Sequence, residues 1–282
     1  MQSAVLIAGC GFVGLPLARK FLHEQWETHA ITGSESSLDR LRAESFHLHR
    51  LDLRHGASFR HLPRHSFDVV IHCASSGRGN VDQYLGVFFH GTQNILRYLE
   101  YQHLIFCSST SVYPQVDGSW VDELSDADPP RETGRILRRT EDLVESAGGA
   151  VARLAGLYGP GRCVPLEKIK NEEAIIEGDG TRILNLLHQS DAVSALRFLA
   201  ELKEGGIFNV VDNQPVMEID WYRYVCGRLD RALPPTGPRN LNRKRGWTSK
   251  RVHNKKLRGR GWEPQYPSFR EGLESIFAAA NR

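Results

Sequence analysis

Six residues near the start of the chain carry its clearest chemical signal. Gly9-Cys10-Gly11-Phe12-Val13-Gly14 is a G-x-G-x-x-G loop between an apolar run, Ala4–Ala8, and an amphipathic stretch, Val13–His23. A strand before the loop and a helix after it is the setting that a dinucleotide site requires. The first glycine permits a tight turn, the second lets a pyrophosphate approach the backbone, and the third lets helix and strand pack closely. The helix N-terminus adds N–H donors and a partial positive charge. The alternative is an ordinary strand–turn–helix whose glycines serve packing only.

The end of the second predicted strand bears on which dinucleotide binds. NAD binders usually place Asp or Glu there, against the ribose hydroxyls. Here the strand ends in Thr32-Gly33-Ser34, with Glu27 too early and Glu35 beyond the turn. An uncharged end with Ser34, Ser36, Ser37 and Arg40 nearby favours a 2′-phosphate, hence NADP over NAD. The competing reading is that Glu35 reaches back and NAD binds.

These residues need a frame, and the apolar pattern predicts one. Strands are expected at Ala4–Ala8, Thr28–Thr32, Phe46–Leu51, Val69–Cys73, Leu104–Ser108 and Ala150–Leu154. Helices are expected at Val13–His23, Leu38–Ala43, Val81–Leu99 and Ile136–Glu145. This alternation, with continuous apolar strands, predicts an α/β fold: a Rossmann-type doubly wound parallel sheet covered on both faces. Further on, the pattern predicts a helix over Ser190–Leu202 with Ser190 as its N-cap, a strand over Ile207–Val211 and a closing helix from about Phe269 to Ala280. The expected organisation is a dinucleotide-binding domain over 1–163, with 184–212 returning to it. A small C-terminal substrate-binding cap takes 164–183 and 213–282.

Composition excludes several other classes. The chain has 282 residues, 40% apolar and 24% charged, which is ordinary for globular proteins and unlike disordered or collagen-like chains. Five scattered cysteines, without metal-ligand or redox-pair spacing, suggest reduced thiols in a cytoplasmic protein. No apolar run approaches the roughly 20 residues of a membrane span, and no targeting segment is read. The net charge of +3 hides an asymmetry: ten basic and no acidic residues lie between Arg239 and Arg260. Three readings stand for that cluster: a solvated loop, a grip on a phosphate-bearing substrate, or a nucleic-acid contact. The last is weakest, because aromatic interleaving is limited to Trp247. The twelve histidines show no metal-ligand spacing, so no metal is expected.

Further segments resemble the short-chain dehydrogenase/reductase superfamily, in its extended, NAD-dependent epimerase/dehydratase-like branch. Asp52-Leu53 resembles the family's adenine-contacting segment, and His72-Cys73-Ala74-Ser75 the strand end beside the nicotinamide ribose. Phe106-Cys107-Ser108-Ser109-Thr110-Ser111-Val112-Tyr113 resembles the strand carrying the active-site hydroxyl, which would be Ser109. Gly91–Leu96, Ala152–Gly161, Leu187–Val193 and Phe208–Asp212 match further family segments in order. The resemblance implies a cofactor site of Gly9, Gly11, Phe12, Val13, Gly14, Ser34, Asp52, Leu53, Cys73, Ala74, Ser75 and Ser108. It also implies a small-molecule substrate of nucleotide-sugar type, and a homodimer through Val81–Leu99 and Ile136–Glu145.

One departure matters. The family's Tyr-x-x-x-Lys pair aligns, counting back from Glu141, with Thr133 and Leu137. An alcohol is a far weaker acid than a phenol, and Leu carries no charge. Arg138 lies roughly 140° around the helix from Thr133 and does not replace the lysine. The chain thus resembles the superfamily's atypical members, and the string Lys250–Leu257 followed by Tyr266–Leu273 resembles their C-terminal segment. The candidate catalytic residues are Ser109 and Thr133, with Thr133 expected to line the pocket or cap its helix. Tyr113 and Tyr158 are expected to serve packing, His188 to be structural and Asp191 to be a first-turn charge. The function expected is that of an NAD(P)-binding oxidoreductase or epimerase-like protein, with no nucleic acid or membrane as partner. The rival is a dinucleotide sensor or scaffold without turnover.

Overall fold

The computed structural model describes residues 2–77, 79–241 and 246–280. Its centre is a seven-stranded sheet: β1 (Ala4–Ala8), β2 (Glu27–Thr32), β3 (His47–Arg50), β4 (Ser66–His72), β5 (Glu100–Ser109), β6 (Ala150–Leu154) and β7 (Gly206–Val210). The spatial order is β3-β2-β1-β4-β5-β6-β7. The pairs β1–β2, β2–β3, β1–β4 and β4–β5 run parallel. Every residue of β1 and β6 is buried, as an apolar strand covered on both faces must be. The strand order reverses between β1 and β4, and ligands of open α/β sheets bind outside the strand ends at such a point.

Helices α1 (Gly14–His23), α2 (Glu35–Leu41), α3 (Val81–Tyr84), α4 (Gly91–Tyr98) and α5 (Glu132–Ser146) lie in the β1–β2, β2–β3, β4–β5 and β5–β6 connections. Residues Val81–Leu99, expected as one helix, are broken by a π-helical stretch over Leu85–His90. The cause is packing. Gly86 and Gly91 sit five residues apart, roughly 140° around a regular α-helix. Both nevertheless face the segment after β3: added Cβ atoms would lie 3.0 Å from Arg54 and 3.2 Å from Leu53. The wider π turn brings the two glycines toward one face.

Contacts divide the chain into two compact units. The first is Met1–Ser109, Glu132–Arg153 and Val193–Phe208; the second is Thr110–Arg131, Leu154–Ala192 and Asn209–Arg282. The second unit therefore takes Thr110–Arg131, which the expected boundary gave to the sheet domain. The reason is strand pairing across a long loop: Trp120–Val121 runs parallel to Arg251–Val252, and the Trp120 ring stacks on His253 at 4.1 Å. The second unit has its own core, which includes Ile176, Trp221, Val225, Phe269 and Leu273. Its helix α6 (Val164–Lys170) precedes α7 (Gln189–Leu202) in the chain.

Ser190 is not the cap of α7, which begins at Gln189. The His188 ring takes that role: its Nδ1 accepts the Ser190 N–H at 3.2 Å. Asp191 lies in the first turn of α7, as expected. Its side chain is fully buried and accepts the N–H groups of Gln265 (2.6 Å) and Tyr266 (3.2 Å), fastening the C-terminal segment. Burial pushes its carboxyl up to about 6.

Candidate functional site

The glycine loop joins β1 to α1, and its glycines differ in what they touch. Gly9 has φ of +111°, and a Cβ there would lie 2.3 Å from the Ala74 Cα. A Cβ on Gly14 would lie 2.0 Å from the Gly9 carbonyl oxygen. These two positions are closed by backbone. A Cβ on Gly11 would meet nothing within 4 Å, so the second glycine leaves open space where a pyrophosphate would approach. Helix α1 has no acidic residue in its first turn, which leaves its positive end unopposed beside Phe12 and Val13. Burial and the neighbouring Cys73 push the Cys10 thiol up to about 12, so it adds no negative charge there. The Cys73 thiol donates to the Gly9 carbonyl at 3.1 Å. The loop and the segment Cys73-Ala74-Ser75 thus meet at the ends of the adjacent strands β1 and β4. These residues fit a dinucleotide.

Ser34 stands just past β2, as N-cap of α2, accepting the Ser37 N–H at 3.3 Å. That helix starts three residues earlier than its apolar pattern suggests, because Ser34 supplies the cap. Glu35 pairs with Arg50 at 2.6 Å instead of standing as a lone acid beside the strand end. Asp52 follows β3, and its bonds from the Arg54 guanidinium hold its carboxyl down at about 2. Asn94 of α4 donates to the Leu53 carbonyl at 2.8 Å and fixes that segment.

At the other end, Ser108 and Ser109 close β5, and both are buried. The Ser108 hydroxyl donates to Glu141, so a cofactor contact from Ser108 would come from its backbone. Thr133 does not cap α5: it lies inside the first turn, 5% exposed. Leu137 is 1% exposed, an apolar side chain where the superfamily carries lysine. Arg138 is held by Glu141 at 2.6 Å and by Asp142, and so is committed elsewhere. The pattern Thr133-x-x-x-Leu137 thus has no acid–base pair.

Sequence reasoning missed the network around Glu141. This fully buried carboxylate receives the Arg153 Nη2 at 2.7 Å and Nε at 3.1 Å, besides Ser108 and Arg138. The signal was present: an arginine inside the apolar run Ala150–Leu154 must find a partner when buried. His72 of β4 is also fully buried, its Nδ1 lies 3.0 Å from the Thr92 hydroxyl, and burial pushes it down to about 4.

In the second unit, the Tyr113 hydroxyl donates to Asn209 Oδ1 at 2.9 Å inside the core. Tyr158 is buried against His188, and burial followed by Asp212 pushes its phenol far up. Burial pushes His188 down to about 4. Neither Tyr158 nor His188 is poised for proton transfer at neutral pH.

The basic segment is anchored where it is described. Arg251 donates to the Gly118 carbonyl, Arg258 pairs with Glu263, and Arg239 lies 4.7 Å over the Trp247 ring. Arg243, Lys244 and Arg245 lie outside the described residues. Ser111, Arg131, Leu241, Trp247 and Thr248 line a cleft of about 360 Å³ within this unit. Trp262 and Phe269 are buried and hold the segment that follows.

Lys250 is 3% exposed, and burial followed by Arg182 pushes its ammonium down to about 7. Between about pH 7 and its ordinary 10.5, the unfolded chain then binds a proton that the folded chain has released. Stability from this group therefore rises with pH across that window. Lys250→Met should reduce the rise, read as urea midpoints compared at about pH 8 and about pH 10, above the range in which the buried histidines titrate. An unchanged difference between the two midpoints would show that Lys250 is not the titrating group.

Comparison with known proteins gives the fold and the family. The chain is 29% identical to Protein YeeZ of Escherichia coli (strain K12) over 219 residues, covering 73% of this chain and 76% of that one. It is 31% identical over 158 residues to a 3-diazoavenalumate denitrifying reductase of Streptomyces sp, covering 50% of this chain and 52% of that protein. Its fold is similar to UDP-glucuronic acid 4-epimerase from Bacillus cereus, solved in complex with UDP-glucuronic acid and NAD. The TM-score is 0.82 at 18% identity, with 99% of both chains covered. The sequence model of the NAD dependent epimerase/dehydratase family matches residues 5–210, and the chain belongs to that family.

Proposed function

We propose that this protein binds a nicotinamide dinucleotide and acts on a small, nucleotide-sugar-like substrate without the Tyr/Lys pair. The observation that carries the reading is the glycine cradle: Gly9 pressed on Ala74, with open space at Gly11. When bound, the dinucleotide supplies a hydride donor or acceptor. Gly11, Phe12 and Val13 hold the pyrophosphate, Cys73–Ser75 and Ser108 flank the nicotinamide half, and Ser109 offers the hydroxyl nearest to the chemistry. With Leu137 at the lysine position, proton transfer falls to water or to a substrate group. The cofactor we favour is NADP, because Ser34, Ser36 and Ser37 line the strand end and Glu35 is neutralised by Arg50. Cytoplasmic location and a homodimer through the helices of Val81–Tyr98 and Glu132–Ser146 belong to the same reading.

Two observations favour variants of it. Burial of Leu137 favours a dinucleotide sensor without turnover. The similarity to a reductase favours reduction of a non-sugar substrate. The experiment is a titration of the protein with NADPH and NADH, followed by nicotinamide fluorescence. UDP- and dTDP-4-keto-6-deoxyhexoses, whose carbonyl can accept the hydride, are then added and oxidation of the bound nicotinamide is read. NADPH binding with substrate-dependent oxidation is expected. Tight NADH binding alone would overturn the NADP preference. Binding without oxidation by any sugar nucleotide would remove the proposed substrate class. Binding of neither form would remove the function.

A further inference from the structure

Three histidines and a glutamate converge on the β2–β3 pair, in a part of the sheet that the dinucleotide reading does not use. His29 of β2 stands in register with His47 of the edge strand β3. Glu27 lies two residues before His29, and His49 two after His47, so all four share one face of the pair. The His29 ring is 4.6 Å from that of His47 and 5.1 Å from that of His49. Its Nε2 lies 3.0 Å from Glu27 Oε1, and its Nδ1 lies 2.9 Å from His49 Nε2.

We infer that Glu27, His29 and His47 form a binding site for a divalent transition ion of the zinc type. One ligand atom from each of the three lies within 4.8 Å of the others. Tetrahedral zinc, with bonds of about 2.1 Å, holds its ligand atoms about 3.4 Å apart. The side chains must therefore close by at most about 1.4 Å, a movement the exposed His47 side chain can supply. Two imidazoles and one carboxylate suit zinc, nickel or copper and do not suit magnesium, which prefers oxygen donors. Water completes the coordination on the exposed side.

The surroundings fit this role. An ion between His29 Nε2 and Glu27 replaces the proton that bridges them in its absence. His29 Nδ1–H then donates to His49 Nε2, which orients the ring, so His49 is a positioning residue. Arg64 pairs with Glu27 Oε2 at 2.7 Å. That contact leaves Oε1 for the ion, although the charge of Arg64 opposes a dication. The ion would tie the edge strand β3 to β2 through side chains, in addition to their backbone pairing.

The test uses the full chain without an affinity tag. Zinc chloride is titrated by calorimetry, with magnesium chloride as a control, and thermal unfolding is followed with and without zinc. One equivalent of zinc should bind and raise Tm, with magnesium inert. His47→Ala alters an exposed side chain and should retain the fold while weakening zinc at least tenfold; Glu27→Gln should do likewise. His49→Ala should weaken zinc about tenfold, and His49→Gln, which keeps an acceptor, should restore most of it. No zinc binding by the unaltered chain overturns the site. Wild-type affinity in both His47→Ala and Glu27→Gln also overturns it, by placing the ion at other surface histidines.

Discussion

Gly11→Asp is expected to abolish dinucleotide binding while leaving the fold intact. The two halves of that expectation have separate physical grounds. A Cβ at Gly11 meets no atom within 4 Å, so the substitution clashes with nothing in the protein itself. The carboxylate instead fills the space where the pyrophosphate approaches, and sets charge against charge at the end of α1. Affinity for NADPH or NADH should fall at least about 100-fold, with an unchanged circular dichroism spectrum and an unchanged Tm. Gly14→Ala is the contrast. Its methyl would lie 2.0 Å from the Gly9 carbonyl oxygen, so both binding and Tm should fall. Retained binding in Gly11→Asp would show that the loop serves packing only, and the enzymatic reading would go with it.

The second large effect is expected at Glu141. Glu141→Gln keeps the shape of the side chain but removes the charge that faces Arg153, which is 1% exposed. Arginine cannot shed its proton to escape burial. Breaking a buried pair by removing one partner typically costs about 3–5 kcal/mol, because the surviving charge is left uncompensated. In a chain of this length that lowers Tm by on the order of 10 °C. The double variant Glu141→Leu with Arg153→Met removes both charges and should recover most of the loss. Urea unfolding of the three proteins is the measurement. A single variant within about 0.5 kcal/mol of wild type would show that Arg153 is satisfied by other groups.

Glu141 also marks the boundary of what can be read from the chain alone. Its position in sequence serves to align Thr133 and Leu137 with the missing pair, because helix spacing is a local property. Its partner Arg153 lies on the next strand, and only the packing of α5 on the sheet joins them. His29 and His47 repeat the lesson. Eighteen positions separate them, no metal-ligand spacing appears, and no metal is expected. Parallel pairing of β2 with β3 then sets them side by side. Asp191 likewise reads as helix-start charge, since nothing nearby in sequence announces that Gln265 and Tyr266 will need it.

The sequence by itself determined the glycine loop and the central strands. Each depends on spacing within one element or across one turn, where sterics, apolar periodicity and helical pitch act on neighbouring residues. Tertiary structure alone decided which polar groups are buried together. It drew Thr110–Arg131 to the C-terminal third, coupled Glu141 to Arg153 and gathered the histidines of β2 and β3. Those outcomes depend on desolvation and on contacts between residues far apart in the chain, and neither can be read from residue order until the sheet is assembled.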